Sequence, residues 1–536
     1  MKGITYDMYY SFIKMGSNKK YYEYIDELDK NEVYEGLLGY GMFSEKLPPI
    51  FSSENFMEYC NNENLDLFQD NRKKEHTYVH YQNIRNINIP RPIGIPHPMA
   101  YYELCKEIEG NWGNIQKHFR KYTSHQFKIS RVHIRKFKNK KNIFKMNYGE
   151  RKDTRIDIMI DKKYIIKADI SKCFQSIYTH SIPWALVGKE EAKVNRNQTN
   201  RWYNRIDKKT INIKDNETHG LLIGPHASNI LSEIILCVVD DNLYKKGWEF
   251  IRNIDDYECY VNSELDANKF LIDLQEELIK FDLSLNHKKT KVEKLPKEID
   301  SPWIRKLNIL SLIIQSNVKN IIDYKLCKYY FDTVLDFVKE EDDNFAILNY
   351  AIKILDKLKL SNNAKMYEAR FIMHLSLIYP YIIPLLDEYI LKNIDIEFIE
   401  MISNKIYNTY KEQRIYEALI YSIYFAIKYN FNILEIDVDF IKDTEDCILN
   451  LITYLYYYKI DKNGEECNKL KEYALSFRNI KDIESMWLFI YEILSENELK
   501  KLKNKLNNKE KNQMNDWIKM KEKTVSFLNS KINDLL

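Results

Sequence analysis

Apolar positions change their spacing near residue 300. Before it, short β-branched or aromatic runs such as "KYIIKAD" and "FIRNIDDYECYV" are punctuated by Gly, Pro and His, and an apolar-periodic stretch follows the turn "GLLIGPH". Short apolar runs bounded by turn residues predict strands mixed with helices. After residue 300 Gly and Pro nearly vanish, and Pro302 lies at the junction. There "NFAILNYAIKILDKLKL", "EALIYSIYFAIKYNF" and "CILNLITYLYYYKID" place apolar residues three and four apart, the period of an amphipathic helix. Successive helices separated by short polar turns predict an α-solenoid or an irregular bundle, without a clean sequence period to mark repeats. The lysine-rich stretch from Glu496 predicts a helix whose charges form a solvated face. Two domains are therefore expected, a mixed α and β domain over 1–300 and an all-α domain over 301–536.

Composition sharpens this. With 536 residues, 45% of them hydrophobic, the chain has material for large cores and is not a disordered protein. The formal net charge of +3 says little about partners, but residues 111–160 hold 14 Lys or Arg against 3 Asp or Glu, a local excess suited to a polyanion. The 8 cysteines form no CxxC pair, so neither a disulfide framework nor a zinc site is indicated and a reducing compartment is expected. The Lys, Asn and Ile bias with 41 Tyr gives any single tyrosine little weight. No run reaches the roughly 18 apolar residues of a membrane span, and the N-terminus lacks a signal-peptide core. A cytoplasmic protein with no membrane partner is expected.

Two stretches put charge where the pattern predicts strand. In "KKYIIKADISKCFQSIYTHSI" the run at Ile165 and Ile166 delivers Asp169 at its end, with Phe174 five residues later. A strand ending in an aspartate presents that carboxylate at a sheet edge, where a hard cation finds oxygen ligands. Taken alone, Asp169 reads equally as a helix N-cap. In "FIRNIDDYECYV" apolar residues flank Asp255 and Asp256, as in a hairpin whose turn carries the acids. A lone acid pair of this kind is usually structural. If the two strands are neighbours, however, three carboxylates converge and repel one another at low dielectric. A pair of divalent ions resolves the repulsion, and metals on shared aspartates serve in-line phosphoryl transfer.

Between these stretches lies "THGLLIGPHASNILSEIILCVVDDNLY", a turn at Gly220, Gly224 and Pro225 leading into a helix; after them comes "FDLSLNHKKTKVEKL" with Lys289. Acid, glycine turn with helix, paired acids and lysine, in this order, resemble the palm of a reverse transcriptase. The resemblance implies an α+β fingers and palm followed by an all-α, HEAT-like helical-repeat domain. It also implies that Asp169 and Asp255, with Asp256 in the same cluster, bind two Mg²⁺ ions, with Mn²⁺ as a substitute, and that Lys289 protonates the leaving pyrophosphate. Phe174 becomes the gate under a deoxynucleotide sugar, and Gly220 the point where backbone approaches the nascent pair. Upstream, "IPHPMAYYELCKEI" and "SRVHIRKFKNKKNIFKMNYGERK" resemble fingers, which makes Arg131, Arg151 and Lys152 candidate triphosphate contacts. By spacing alone, Phe174 also reads as a core aromatic and Lys289 as a surface lysine.

Departures narrow the resemblance. Asn253 stands where most reverse transcriptases have Tyr or Phe, His219 stands where the second motif usually begins with Gln, and no primer-grip turn is visible in "PWIRKLNILSLII". With "LLGYGMFSEKLPPIFSS", "DISKCFQSIYTHSIPWALVGK" and "GLLIGPHASNILSEIIL", the chain resembles the bacterial abortive-infection reverse transcriptases, the AbiK and AbiA group of phage-defence proteins. The last histidine, His374 in "EARFIMHLS", fits an amphipathic helix rather than a nuclease, which favours an AbiK-like arrangement. That resemblance implies untemplated synthesis from dNTPs, single-stranded DNA covalently attached to a tyrosine, and a homo-oligomer built through the helical domain. Tyr40, in the turn "GYG", is the candidate priming residue. Two other readings share these residues: an RNA-templated enzyme using a cognate non-coding RNA, with RNA as its partner, and an inactive helical scaffold.

Overall fold

Strands form where the apolar runs are β-branched or aromatic and side chains can alternate between two packed faces. The computed structural model describes residues 20–63, 75–85, 89–124, 155–298, 301–316, 321–341, 344–508 and 510–536. The strands that matter below are β1 (Val79–Ile84), β2 (Pro90–Ile95), β3 (Tyr164–Asp169), β4 (Phe250–Asn253), β5 (Asp256–Val261) and β6 (Lys291–Lys294). The chain divides into two units. Met1–Ser44, Ser52–Tyr78 and Gly94–Lys297 make the first, and Glu45–Phe51, Val79–Ile93 and Glu298–Leu536 the second.

The first unit is built on an antiparallel sheet of order β4-β5-β3-β6. Its central pairing runs from Tyr164 opposite Val261 to Asp169 opposite Asp256, and the hairpin partner β4 sets Asn253 opposite Asp256 and Arg252 opposite Tyr257. Because side chains alternate, this register sorts the faces. Phe250, Arg252 and Tyr257 share one face. The Phe250 ring lies 5.6 Å from that of Tyr257 and 6.2 Å from that of Phe270, on the Glu264–Ile279 helix. Asp169, Asp256 and Asn253 share the other face, and farther along it Ile165, Ile251 and Tyr260 pack with Ile158. The His226–Lys245 helix is buried nearly all round, with Glu233, Asp240 and Asp241 inside it. A helix apolar on every side belongs in a core, and its buried acids need partners there.

The second unit is helical, and successive helices pack in chain order: Ile396–Gln413 on Tyr416–Tyr429, that on Cys447–Ile460, and that on Trp487–Ile493. Arg414 and Asn430 end two of them in the left-handed conformation, the usual way to satisfy terminal carbonyls. The unit also takes two pieces from the N-terminal half of the sequence. Phe51 bridges to Leu528, and Asn529 donates to the carbonyls of Ile50 and Pro49. On β1, the Tyr81 hydroxyl (2.9 Å), the Asn83 amide (2.8 Å) and the Ile84 N–H (2.7 Å) all donate to the buried carboxylate of Glu417.

Burial outweighs those donors and lifts the Glu417 pKa to about 7. The native state then holds a proton that the unfolded chain releases near pH 4.5, so this group's contribution is complete below that pH and is lost as pH rises through 7. Glu417→Gln is expected to flatten the fall in stability of the second unit between pH 5 and 8, read by denaturant melts. An unchanged slope would show that the carboxylate is ionised throughout. Glu417→Ala leaves three donors unpaired and is expected to cost roughly 2–4 kcal/mol.

Candidate active site

Asp169 ends β3 with only 6% of its surface exposed. Its surroundings come from the loop before β6. The Asn286 N–H donates to the Asp169 carbonyl (2.7 Å), the Asn286 amide to one carboxylate oxygen (2.9 Å), and the Lys289 ammonium to the other (3.1 Å). Further backbone bonds, Ile170 N–H to the Asp255 carbonyl (3.1 Å) and Ser171 N–H to that of Ser284 (2.8 Å), stitch three chain segments together at this sheet end. Asp255 sits in the two-residue turn between β4 and β5, after Ile254, whose φ of 57° lies in the left-handed region. That conformation is costly for a β-branched residue and survives only where neighbours enforce it.

The three carboxylates are thus brought together. Asp255 titrates above the ordinary aspartate range because burial disfavours its charge and the Asp169 carboxylate adds to this, against Lys289 and Arg252. Asp256 is exposed as a residue, but the partial burial of its carboxyl group, then the charges of Asp255 and Asp169, push it up to about 6. The Asn253 Oδ1, on the same face of the sheet, is buried without a hydrogen bond among the described residues. Crowded hard oxygen donors, two of them raised by burial and by one another's charge, fit a divalent cation such as Mg²⁺.

Gly220 and Phe174 lie beside one another through the backbone. Gly220 has φ 82° and its N–H donates to the Ile177 carbonyl (2.8 Å), while the Leu221 N–H donates to that of Phe174 (2.7 Å). A Cβ on Gly220 would stand 2.9 Å from the Gln175 carbonyl oxygen, so in this structure the glycine lets its loop close on the Cys173–Ser176 turn. Phe174 is half-buried. Tyr40 follows the Lys30–Leu38 helix. Burial and a hydrogen bond to Glu54 lift its pKa to about 12, and the other carboxylates acting on it are Glu35 and Glu58. Its neighbour Gly41 accepts from the Tyr101 hydroxyl (2.9 Å) and the His226 N–H (2.8 Å), which places the turn against the start of the His226–Lys245 helix. Arg131, Arg151 and Lys152 lie outside the described residues.

Two residues of this site escape a reading of the sequence. Asn286, in "LNHKK", holds Asp169 by both backbone and side chain. Arg252 is fully buried between Ile251 and the acid pair, and its signal was an arginine inside an apolar run.

Residues 107–352 match the family model for reverse transcriptase (RNA-dependent DNA polymerase). The chain carries a reverse transcriptase domain. The matched span holds Asp169, Asp255, Asp256 and Lys289, and runs past Lys297 into the second unit. No curated protein matches the chain. A reverse transcriptase domain is a nucleotidyltransferase with the fold of a DNA polymerase, and binds nucleotides and nucleic acid. Among the described residues no helix is long and apolar enough to cross a membrane.

The high titration of Asp256 carries a stability consequence. Its effect on folding is most favourable below the unfolded value near 4 and is lost as pH rises through 6, where it ionises beside two other carboxylates. Asp256→Asn is expected to raise the melting temperature of the metal-free protein at pH 8 and to leave it near wild type at pH 4.5. The same increment at both pH values would contradict the repulsion. In the turn before the His226–Lys245 helix, Gly220→Ala meets both a carbonyl and an unfavourable φ, and a loss of roughly 1–3 kcal/mol is expected in denaturant melts.

Proposed function

We propose that the chain is a phage-defence DNA polymerase of reverse-transcriptase fold that adds dNTPs without a template, beginning on one of its own tyrosines. The observation that carries the polymerase reading is the register that sets Asp169 directly opposite Asp256 with Asp255 in the adjoining turn. Protein priming, independence of a template and the defence role are supported by the motif resemblance to the AbiK-like group.

When bound, a Mg²⁺ pair on Asp169 and Asp255, with Asp256 beside them, supplies Lewis acidity to the attacking hydroxyl and to the departing pyrophosphate. Asn286 keeps the Asp169 carboxylate oriented. Lys289 is the one ammonium that the described residues place on Asp169, and it is the group positioned to give its proton to pyrophosphate. Phe174, next to Gly220, forms the floor for the sugar. At initiation Tyr40 is the candidate nucleophile, and Glu54, which accepts its hydrogen bond, is the base placed to take its proton. The helical unit serves as a scaffold of HEAT-like repeats through which copies of the chain assemble.

A second reading, RNA-templated synthesis, is favoured by the RNA-dependent activity of the matched family. One experiment separates the two. Purified protein is incubated with single labelled dNTPs, Mg²⁺ and no nucleic acid, then run on denaturing gels before and after protease. The proposal expects label that stays with the protein, shifts on proteolysis and falls roughly 100-fold or more in Asp255→Ala. It expects a similar loss of rate in Lys289→Met, and no protein-bound label in Tyr40→Phe. Incorporation that begins only when RNA or a primer is added would establish the templated reading instead.

A further inference from the structure

Arg252 stands on β4, three residues before Asp255, and no part of its side chain is exposed. It reaches across to the His226–Lys245 helix, where Glu233 and Asp240 lie two turns apart on one side. The Nε group donates to both oxygens of Asp240 (3.0 and 2.9 Å), and Nη2 to Asp240 (2.7 Å) and to Glu233 (2.7 Å). Nη1 donates to the second Glu233 oxygen (3.1 Å) and, with its remaining hydrogen, to the carbonyl of Ile254 (2.7 Å). All five guanidinium hydrogens are used. The Tyr257 hydroxyl adds a donor to Asp240 (3.0 Å).

Buried ion triads of this kind are weak sources of stability, because desolvation offsets most of the attraction. What the triad does have is a specific target. Its one bond outside the two carboxylates falls on Ile254, whose left-handed conformation swings the chain so that Asp255 and Asp256 follow beside Asp169. We propose that Arg252 is a positioning residue that locks this turn, so that binding of a divalent cation by the three aspartates depends on the guanidinium fork. The inference rests on the reading of those aspartates as metal ligands. Lysine retains the charge but has a single nitrogen, which does not span Asp240, Glu233 and the Ile254 carbonyl together.

The test is a Mn²⁺ titration of the full chain followed by electron paramagnetic resonance, without nucleotide, so that no activity is needed. Arg252→Lys is expected to weaken Mn²⁺ binding about 10-fold or more, the scale on which groups behind metal ligands act. Adding Ile254→Gly, which adopts the left-handed turn without strain, is expected to recover most of that loss. Wild-type affinity in Arg252→Lys would overturn the proposal. So would a loss that Ile254→Gly leaves unrepaired, since the arginine would then serve only to pack sheet against helix. Should Arg252→Lys not fold, Glu233→Gln keeps the arginine paired to Asp240 while loosening the fork; it is expected to weaken binding several-fold, and no change would count against the proposal. Asp255→Asn is the control: if it binds Mn²⁺ as wild type does, the metal-ligand reading itself fails, separately from the role of Arg252.

Discussion

Two carboxylates set directly opposite each other on neighbouring antiparallel strands repel, and like charges in that position ordinarily weaken a sheet. Asp169 and Asp256 are such a pair, with Asp255 in the next position of the turn. Much of the first unit can be read as the means of sustaining this arrangement. One side supplies Asn286 and Lys289 to Asp169; the other supplies a buried arginine whose bond to Ile254 fixes the turn. The sheet stays on its helices through Phe250, Tyr257 and Phe270, on the face opposite to Asp169 and Asp256.

The charges are sorted by the alternation of the strands. Arg252 and Tyr257 fall on the helix-facing side and Asn253 and Asp256 on the open side, so one residue of register separates a structural cation from the acids it supports. Even with Arg252 against it, Asp240 is lifted by burial to about 6, which shows how strongly the interior disfavours charge. Asp240 is therefore held in place by its geometry with Arg252 rather than by any surplus of attraction.

The parts of this site that depend on local pattern were legible in the sequence. Asp169 stood out as an acid at the end of a β-branched run, the acid pair as charge in an otherwise apolar hairpin, and Gly220 as part of a turn before a helix. A reverse transcriptase domain follows from those motifs and is borne out by the family match. What escaped depends on contacts between distant positions. Nothing local in "LNHKK" tells that Asn286 faces Asp169 across 117 residues, or that Arg252 closes on acids 12 and 19 residues before it. The segments 45–51 and 79–93 were opaque for a related reason: β1 alternates buried and exposed side chains in the way of any half-covered strand, whichever core it joins.

Those two segments decide how the chain can be divided. Glu417 has its donors on β1, and the end of the chain near Asn529 is tied to Ile50 and Pro49. A fragment starting at Glu298 would contain every helix of the second unit and still lack the strand and the loop that complete it. The helical unit is thus no detachable appendix to the polymerase. During synthesis its first pieces leave the ribosome hundreds of residues before the rest, and they wait for partners that arrive much later. A cut at the apparent boundary would strand Glu45–Phe51 and Val79–Ile93 away from the helices they complete, so those helices depend on segments translated long before them.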